Sequence, residues 1–185
     1  MKNITIITLI SIIILFLLGR NNSMKNSKNE DISYSFEESL NTHLSELHID
    51  NINCIDIKGD TTMLLNLISS DILIYYYSDL HCSSCYEKQL RTLAKYFYKS
   101  EQNVIVLCSY MSFQNFKVSM NRNEYKFPIY YINYKAFNSL VIHYETPLFF
   151  TLNSELEASN FYIFYEENLE NNHKYFQKVK TLIGN

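Results

Sequence analysis

DILIYYYSDLHCSSCYEKQLRTLAKYFYKS, residues 71–100, passes through three kinds of sequence in turn. Residues 72–77 form an uninterrupted apolar run with the length and β-branched, aromatic character of a buried strand. A polar corner, Ser78-Asp79, follows, and then Cys82-Ser83-Ser84-Cys85. Directly after the second cysteine, Tyr86, Leu90, Leu93, Ala94 and Phe97 recur at helical spacing and mark one apolar face. The two cysteines therefore stand where a strand hands over to the first turn of a helix.

That placement has chemical consequences. The first turn of a helix carries N–H groups without intrahelical partners, together with the positive end of the macrodipole. Both favour a thiolate at Cys82 and predict a thiol pKa below that of a free cysteine. Cys85, one turn on, is placed to attack a mixed disulfide formed at Cys82. Other uses of two cysteines at this spacing fit less well. A structural zinc site calls for a second ligand pair, whereas Cys54 and Cys108 are isolated from each other. Covalent haem attachment calls for His after the second cysteine, where the chain has Tyr86. No metal or cofactor is expected at the motif. A buried structural pair of cysteines is the plain alternative.

At 185 residues the chain suffices for one domain with a core and an N-terminal extra segment. A net charge of −3 without a basic stripe argues against nucleic acid as a partner. Asn, Ile, Lys and Tyr are abundant and Trp is absent; those favoured residues have A/T-rich codons, so the composition carries no functional message.

Residues 1–19 read as a signal anchor or signal peptide: Lys2 precedes an apolar run over residues 4–18. As a helix the run measures about 22 Å, short against a hydrocarbon core of about 30 Å. Its length suits a signal-peptide h-region. Yet Gly19-Arg20-Asn21-Asn22-Ser23 lacks a small-x-small cleavage pattern, and the first cysteine available for lipidation is Cys54. An uncleaved anchor in the inner membrane, facing the periplasm or extracytoplasmic space, is the favoured expectation, with secretion after cleavage as the alternative. Such a compartment lets disulfides persist. Arg20, Lys25 and Lys28 after the run leave orientation undecided by charge.

Residues 20–34 are polar, without periodicity, and read as a flexible tether; the domain is expected over 35–185. Ser35-Phe36-Glu37-Glu38 matches a capping box, followed by a stripe of Phe36, Leu40, Leu44 and Leu47 that predicts a helix. Residues 52–57 read as a short strand, after which Asp60 or Thr61 caps a helix through Met63, Leu64, Leu67 and Ile68. Residues 103–109 (NVIVLCS) form a second buried strand, which with the first and its helix makes a βαβ unit. Cys54 and Cys108 lie on strands as small buried hydrophobes. Residues 111–126 read as a loop with a short helix. Pro128 leads into an edge strand at 129–132. Beyond Thr146-Pro147, strands at 148–152 and 161–165 form a hairpin across a turn at 153–159. A last helix, residues 169–183, presents Asn172, Phe176, Val179 and Ile183, with Leu182 beside them, to the sheet.

This order of elements, with Cys82-Ser83-Ser84-Cys85 at a helix start and Thr146-Pro147 leading into a hairpin, resembles the thioredoxin fold. The resemblance is to exported, membrane-tethered thioredoxin-like proteins related to cytochrome c maturation reductases, and it covers roughly residues 54–183. It implies an α/β, three-layer fold: a central mixed sheet of four to five strands flanked by helices, preceded by an N-terminal hydrophobic helix. It also implies that Cys82 is the nucleophile, that Cys85 resolves, and that Pro147 is cis opposite them. Thr146 would then offer its backbone to an extended substrate.

The chain departs from that family at His81, where many members have Trp, and within the motif, where Ser83-Ser84 replaces a proline-containing pair. Tyr76 stands where thioredoxins have a buried acid, and Leu90 where a proline kinks the helix. His81 either acts as an imidazolium that lowers the Cys82 pKa or relays a proton, or is an inert corner residue. Glu87 is a second candidate proton carrier, and His143, four residues before Pro147, is placed to approach the site. The expected activity is thiol–disulfide exchange with proteins as partners and an unknown redox donor, tilted toward reduction. The alternatives are a scaffold that binds without catalysis, or a Cu(I) chaperone using Cys82, Cys85 and His81 or His143.

Overall fold

The strand β4, Ile72–Ser78, is buried along its whole length, and its side chains divide by period two between the faces of a sheet. Leu73, Tyr75 and Tyr77 enter one core cluster, and Ile72, Ile74 and Tyr76 enter the other. A computed structural model describes residues 47–98, 101–120, 125–133 and 147–184, all within the unit Leu40–Asn185. The remaining strands are β1 Leu47–His48, β2 Asn53–Ile55, β3 Thr61–Met63, β5 Val104–Tyr110, β6 Ile129–Asn133, β7 Leu148–Leu152 and β8 Glu157–Tyr162. The helices are α1 Ser83–Phe97, α2 Phe113–Met120 and α3 Leu169–Ile183.

The predicted βαβ unit is present: β4 and β5 pair in parallel, from Leu73 opposite Val104 to Ser78 opposite Ser109, with α1 between them in the chain. β7 adds antiparallel to the other side of β4, and β8 follows it as the hairpin partner. The full order is β1-β8-β7-β4-β5-β6-β2-β3. The sheet therefore has eight strands among the described residues, not the expected four to five.

Three expected elements account for much of the difference. Leu47, the last residue of the predicted N-terminal helical stripe, is a strand residue opposite Ala158. The helix expected after Asp60 is instead the second arm of a hairpin, with one 3-10 turn at Leu64–Leu67. Its turn is built by Asp56, whose Oδ1 accepts the N–H groups of Lys58, Gly59 and Asp60, each at 2.9 Å. Gly59 completes it at φ +99°, a conformation open to glycine. β6 is interior rather than an edge, paired with both β5 and β2. Pro128 stands just before the strand, where its missing N–H costs no ladder bond, and its carbonyl accepts from Val106 N–H at 2.9 Å.

The final hairpin also closes sooner than expected. Asn153 Oδ1 holds the N–H groups of Glu155 and Glu157, both at 2.9 Å, so β8 begins at Glu157 rather than 161. All three described helices bury their apolar faces in one cluster on one side of the sheet. Among the described residues the other side is covered by Ile49, Ile52, Leu64, Ile68, Leu156 and Ile163, from loops and the 3-10 turn rather than from an α-helix. Leu182 stays 42% exposed on α3, off the stripe that packs. The expected helices at the N-terminal run and over residues 35–46 lie outside the described residues, as does the tether. No described helix is long and apolar enough to cross a membrane.

Asn172 joins α3 to the end of β8. Its side chain, 2% exposed, donates to the Tyr165 carbonyl at 2.6 Å and accepts from the Tyr162 hydroxyl at 2.5 Å. Replacing it by Ala removes both bonds, including the buried one that the Tyr162 hydroxyl donates, which costs about 2 kcal/mol. Urea unfolding of Asn172→Ala is expected to show a lower midpoint with an unchanged denaturant slope.

Candidate active site

β4 ends at the same sheet edge at which α1 begins, and the turn between them is pinned on both sides. Asp79 N–H donates to the Ser109 carbonyl at 3.0 Å, and Asp79 Oδ2 accepts from Met111 N–H at 3.0 Å. The β4–α1 corner is thus tied to the end of β5. His81 folds back into this corner: its Nδ1 accepts from Ser78 N–H at 3.1 Å, and its ring stands edge-on to Tyr76 at 6.3 Å. It is nearly buried, at 9% exposure.

Cys82 is the N-cap of α1. Its carbonyl accepts the N–H groups of Cys85 at 3.0 Å and Tyr86 at 3.3 Å, which opens the helix. Its thiol is exposed, and Sγ lies 3.1 Å from the Ser84 hydroxyl. The Cys82 pKa is drawn from 9.0 down to about 7. A hydrogen bond from the Cys85 thiol contributes most, followed by the Ser84 hydroxyl and then the Cys85 backbone N–H. Cys85 is half-buried and moves the other way. Its thiol is the donor to Cys82, so losing its proton breaks that bond, and partial burial adds to the effect. One thiol is thus drawn toward its thiolate, while the other keeps its proton.

The other two cysteines are chemically quiet. Burial pushes the Cys54 thiol up to about 12, and it pushes Cys108 upward as well. Tyr76, at the position of the family's buried acid, is itself buried, and burial raises its pKa.

Cys82, Ser84 and Cys85 come together as predicted, and Ser83 is exposed in the first turn beside them. His81 Nδ1 accepts from the backbone of Ser78, a contact that builds the corner rather than one to Cys82. Glu87 is exposed on the helix surface, and its described contact is through its carbonyl, to the Tyr125 hydroxyl. Pro147 is buried immediately before β7. Because Leu148 pairs with Tyr76, it lies at the sheet end that carries the dithiol. Thr146, the bond joining it to Pro147, and His143 lie outside the described residues.

Two features near Cys85 were not anticipated. Lys88, one turn further along α1, pairs with Glu166 at 2.8 Å. Beneath the site, Tyr86 stacks on Tyr77 at 4.4 Å, and the Tyr75 hydroxyl donates to the Tyr86 carbonyl at 3.4 Å. The spacing of Lys88 from Cys85 was visible in the sequence; its partner, 78 residues away, was not.

No protein-family model matches the chain, and no curated protein matches it at a significant level. Solved structures do. The chain is similar to the thioredoxin domain of a thiol-disulfide oxidoreductase from Bacteroides vulgatus, with a TM-score of 0.54 and 14% identity over 71% of this chain and 96% of that one. It is similar to a thiol:disulfide interchange protein from a Bacteroides species, with a TM-score of 0.54 and 13% identity over 76% and 90%. An exposed lipoprotein thioredoxin from Streptococcus pneumoniae gives 0.53 and 15% over 72% and 100%. At such identities the likeness is one of fold, and the fold of this chain is thioredoxin-like.

Proposed function

We propose that this domain is a thiol–disulfide oxidoreductase that acts on disulfides of exported proteins through Cys82 and Cys85, in the reducing direction. The observation that carries the reading is the asymmetry of the pair: an exposed Cys82 with its pKa lowered to about 7, hydrogen-bonded to a half-buried Cys85 with its pKa raised. The Cys82 thiolate attacks a substrate disulfide, forms a mixed disulfide and releases one substrate thiolate. Cys85 then loses its proton and attacks Cys82 Sγ, which releases the second substrate thiolate. Two electrons have passed to the substrate, and the Cys82–Cys85 disulfide awaits an external dithiol donor.

A Cys82 thiol lowered only to about 7 supports the reducing direction. Strong oxidants of this fold have thiol pKa values of about 3.5, and reductants about 7. A thiolate stabilised only moderately leaves the disulfide form comparatively favoured, which is the mark of a reductant. Residues 1–19 are proposed to anchor the domain in the inner membrane, facing the periplasm or its equivalent; this rests on the apolar run alone.

Alkylation of the reduced protein across pH is expected to show Cys82 reacting first, with a half-maximal rate near pH 7. The sign follows from the lowered pKa: below it the thiol form dominates and the rate falls, and above it the rate levels off. Cys54 and Cys108 should stay unreacted until the protein unfolds. Ser84→Ala, which removes a donor to the thiolate, moves the Cys82 midpoint upward. Equal trapping of all four cysteines sinks the reading.

A redox titration is expected to give one two-electron couple below about −250 mV. Cys85→Ser should accumulate mixed disulfides at Cys82, whereas Cys82→Ser should not. A dithiol that never pairs leaves only a binding scaffold.

Membrane fractions washed with alkaline carbonate should retain the full chain and release a form lacking residues 1–20. Release of the full chain removes the anchor.

A further inference from the structure

Lys88 and Glu166 connect α1 to the loop between β8 and α3, with Nζ 2.8 Å from Oε2. The other ion pair among the described residues, Lys174 with Glu170, lies within one helix and ties nothing together. Lys88 is three residues after Cys85, so the two are surface neighbours on α1. Glu166 arrives from a loop that is itself held. The Tyr165 carbonyl accepts from Asn172 Nδ2 at 2.6 Å and from Asn168 N–H at 3.1 Å, and Asn168 caps α3 through Asn171 N–H at 3.2 Å. A negative charge is therefore brought to the helix face beside the dithiol by a segment far away in sequence.

We propose that the Lys88–Glu166 bridge is a charge clamp that protects the division of roles in the dithiol, by offsetting the Lys88 charge that would otherwise help activate Cys85 as a competing nucleophile. The two residues are positioning residues, and the inference rests on the oxidoreductase reading of the same site.

The charges around Cys85 support the assignment. Glu166 disfavours the Cys85 thiolate, while Lys88 gains from it, so the two partners pull in opposite directions. From its own helix Cys85 also meets Cys82 and Ser84, and from β4 it is within electrostatic reach of Tyr75. Arg91, the next basic residue on α1, acts on Lys88. Glu166 is the acidic group that a different element brings to Cys85. With the pair intact, Glu166 adds to the larger effect of the thiol–thiolate hydrogen bond, which keeps the proton on Cys85.

The test uses the full chain, with each cysteine followed by mass after timed alkylation at pH 8. In Glu166→Gln, Lys88 is uncompensated, and Cys85 should alkylate about twofold faster than in the wild type, the effect of one unit charge after salt screening. In Lys88→Met, Glu166 is left alone, and Cys85 should react about twofold slower. Lys88→Arg keeps the charge and should leave the rate unchanged. Release of glutathione from a Cys82–glutathione mixed disulfide should change in the same order. An exposed pair is worth little to folding, so these variants remain folded. Opposite signs for the two charge-removing variants support the clamp. A shared direction, or no change in either, overturns it. Failure of the wild-type Cys82–Cys85 disulfide to form would overturn the oxidoreductase reading instead, and the alkylation ratios would still score the clamp.

Discussion

Parallel pairing of β4 with β5 is the constraint on which the rest of this domain depends. Two strands buried on both faces can be joined in parallel only by a crossover, and here the crossover is α1. The chain must therefore leave β4, turn, and start a helix at one edge of the sheet. Cys82 occupies that start. Everything that gives the thiol its character follows from this placement: open helix N–H groups, exposure to solvent, and a partner thiol one turn away. The Asp79 bonds to Ser109 and Met111 then hold the corner against the neighbouring strand, so the site rests on the sheet rather than on a free loop.

Four cysteines in one chain meet four environments, and the environments separate their chemistry. Cys54 and Cys108 sit on strands in the two core clusters, where desolvation keeps them as thiols. Cys82 and Cys85 share one hydrogen bond, and that bond favours the thiolate of one and the thiol of the other. The division of labour in the proposed exchange is an electrostatic property of the pair and its surroundings rather than of either residue alone. The tyrosines packed under the helix fill the space below it, with Tyr86 and Tyr77 stacked and Tyr75 reaching the Tyr86 carbonyl.

Elements whose identity is set by local pattern were legible from the residues. The βαβ unit, the terminal helix with its buried Asn172, Phe176, Val179 and Ile183, and the cysteine pair at a helix start all agree with the structure. Their signals are periodicity and capping position, which act within a few residues. Elements whose state depends on a partner were misread. Residues 61–63 have apolar and polar residues that fit either a helix start or a strand, and pairing with β2 decides for the strand. Residues 129–133 follow a proline and looked like an edge, but β2 covers that edge.

The sequence by itself determined the placement of the dithiol: two cysteines at a spacing that puts both on the first turn of a helix, at the end of a strand that must be buried. Tertiary structure alone decided what surrounds the pair. The width of the sheet and the arrival of Glu166 beside Lys88 depend on contacts between residues far apart in the chain. Strand partners and opposing charges at such separations leave no periodic trace along the polypeptide. They exist only once folding has set the distances between them.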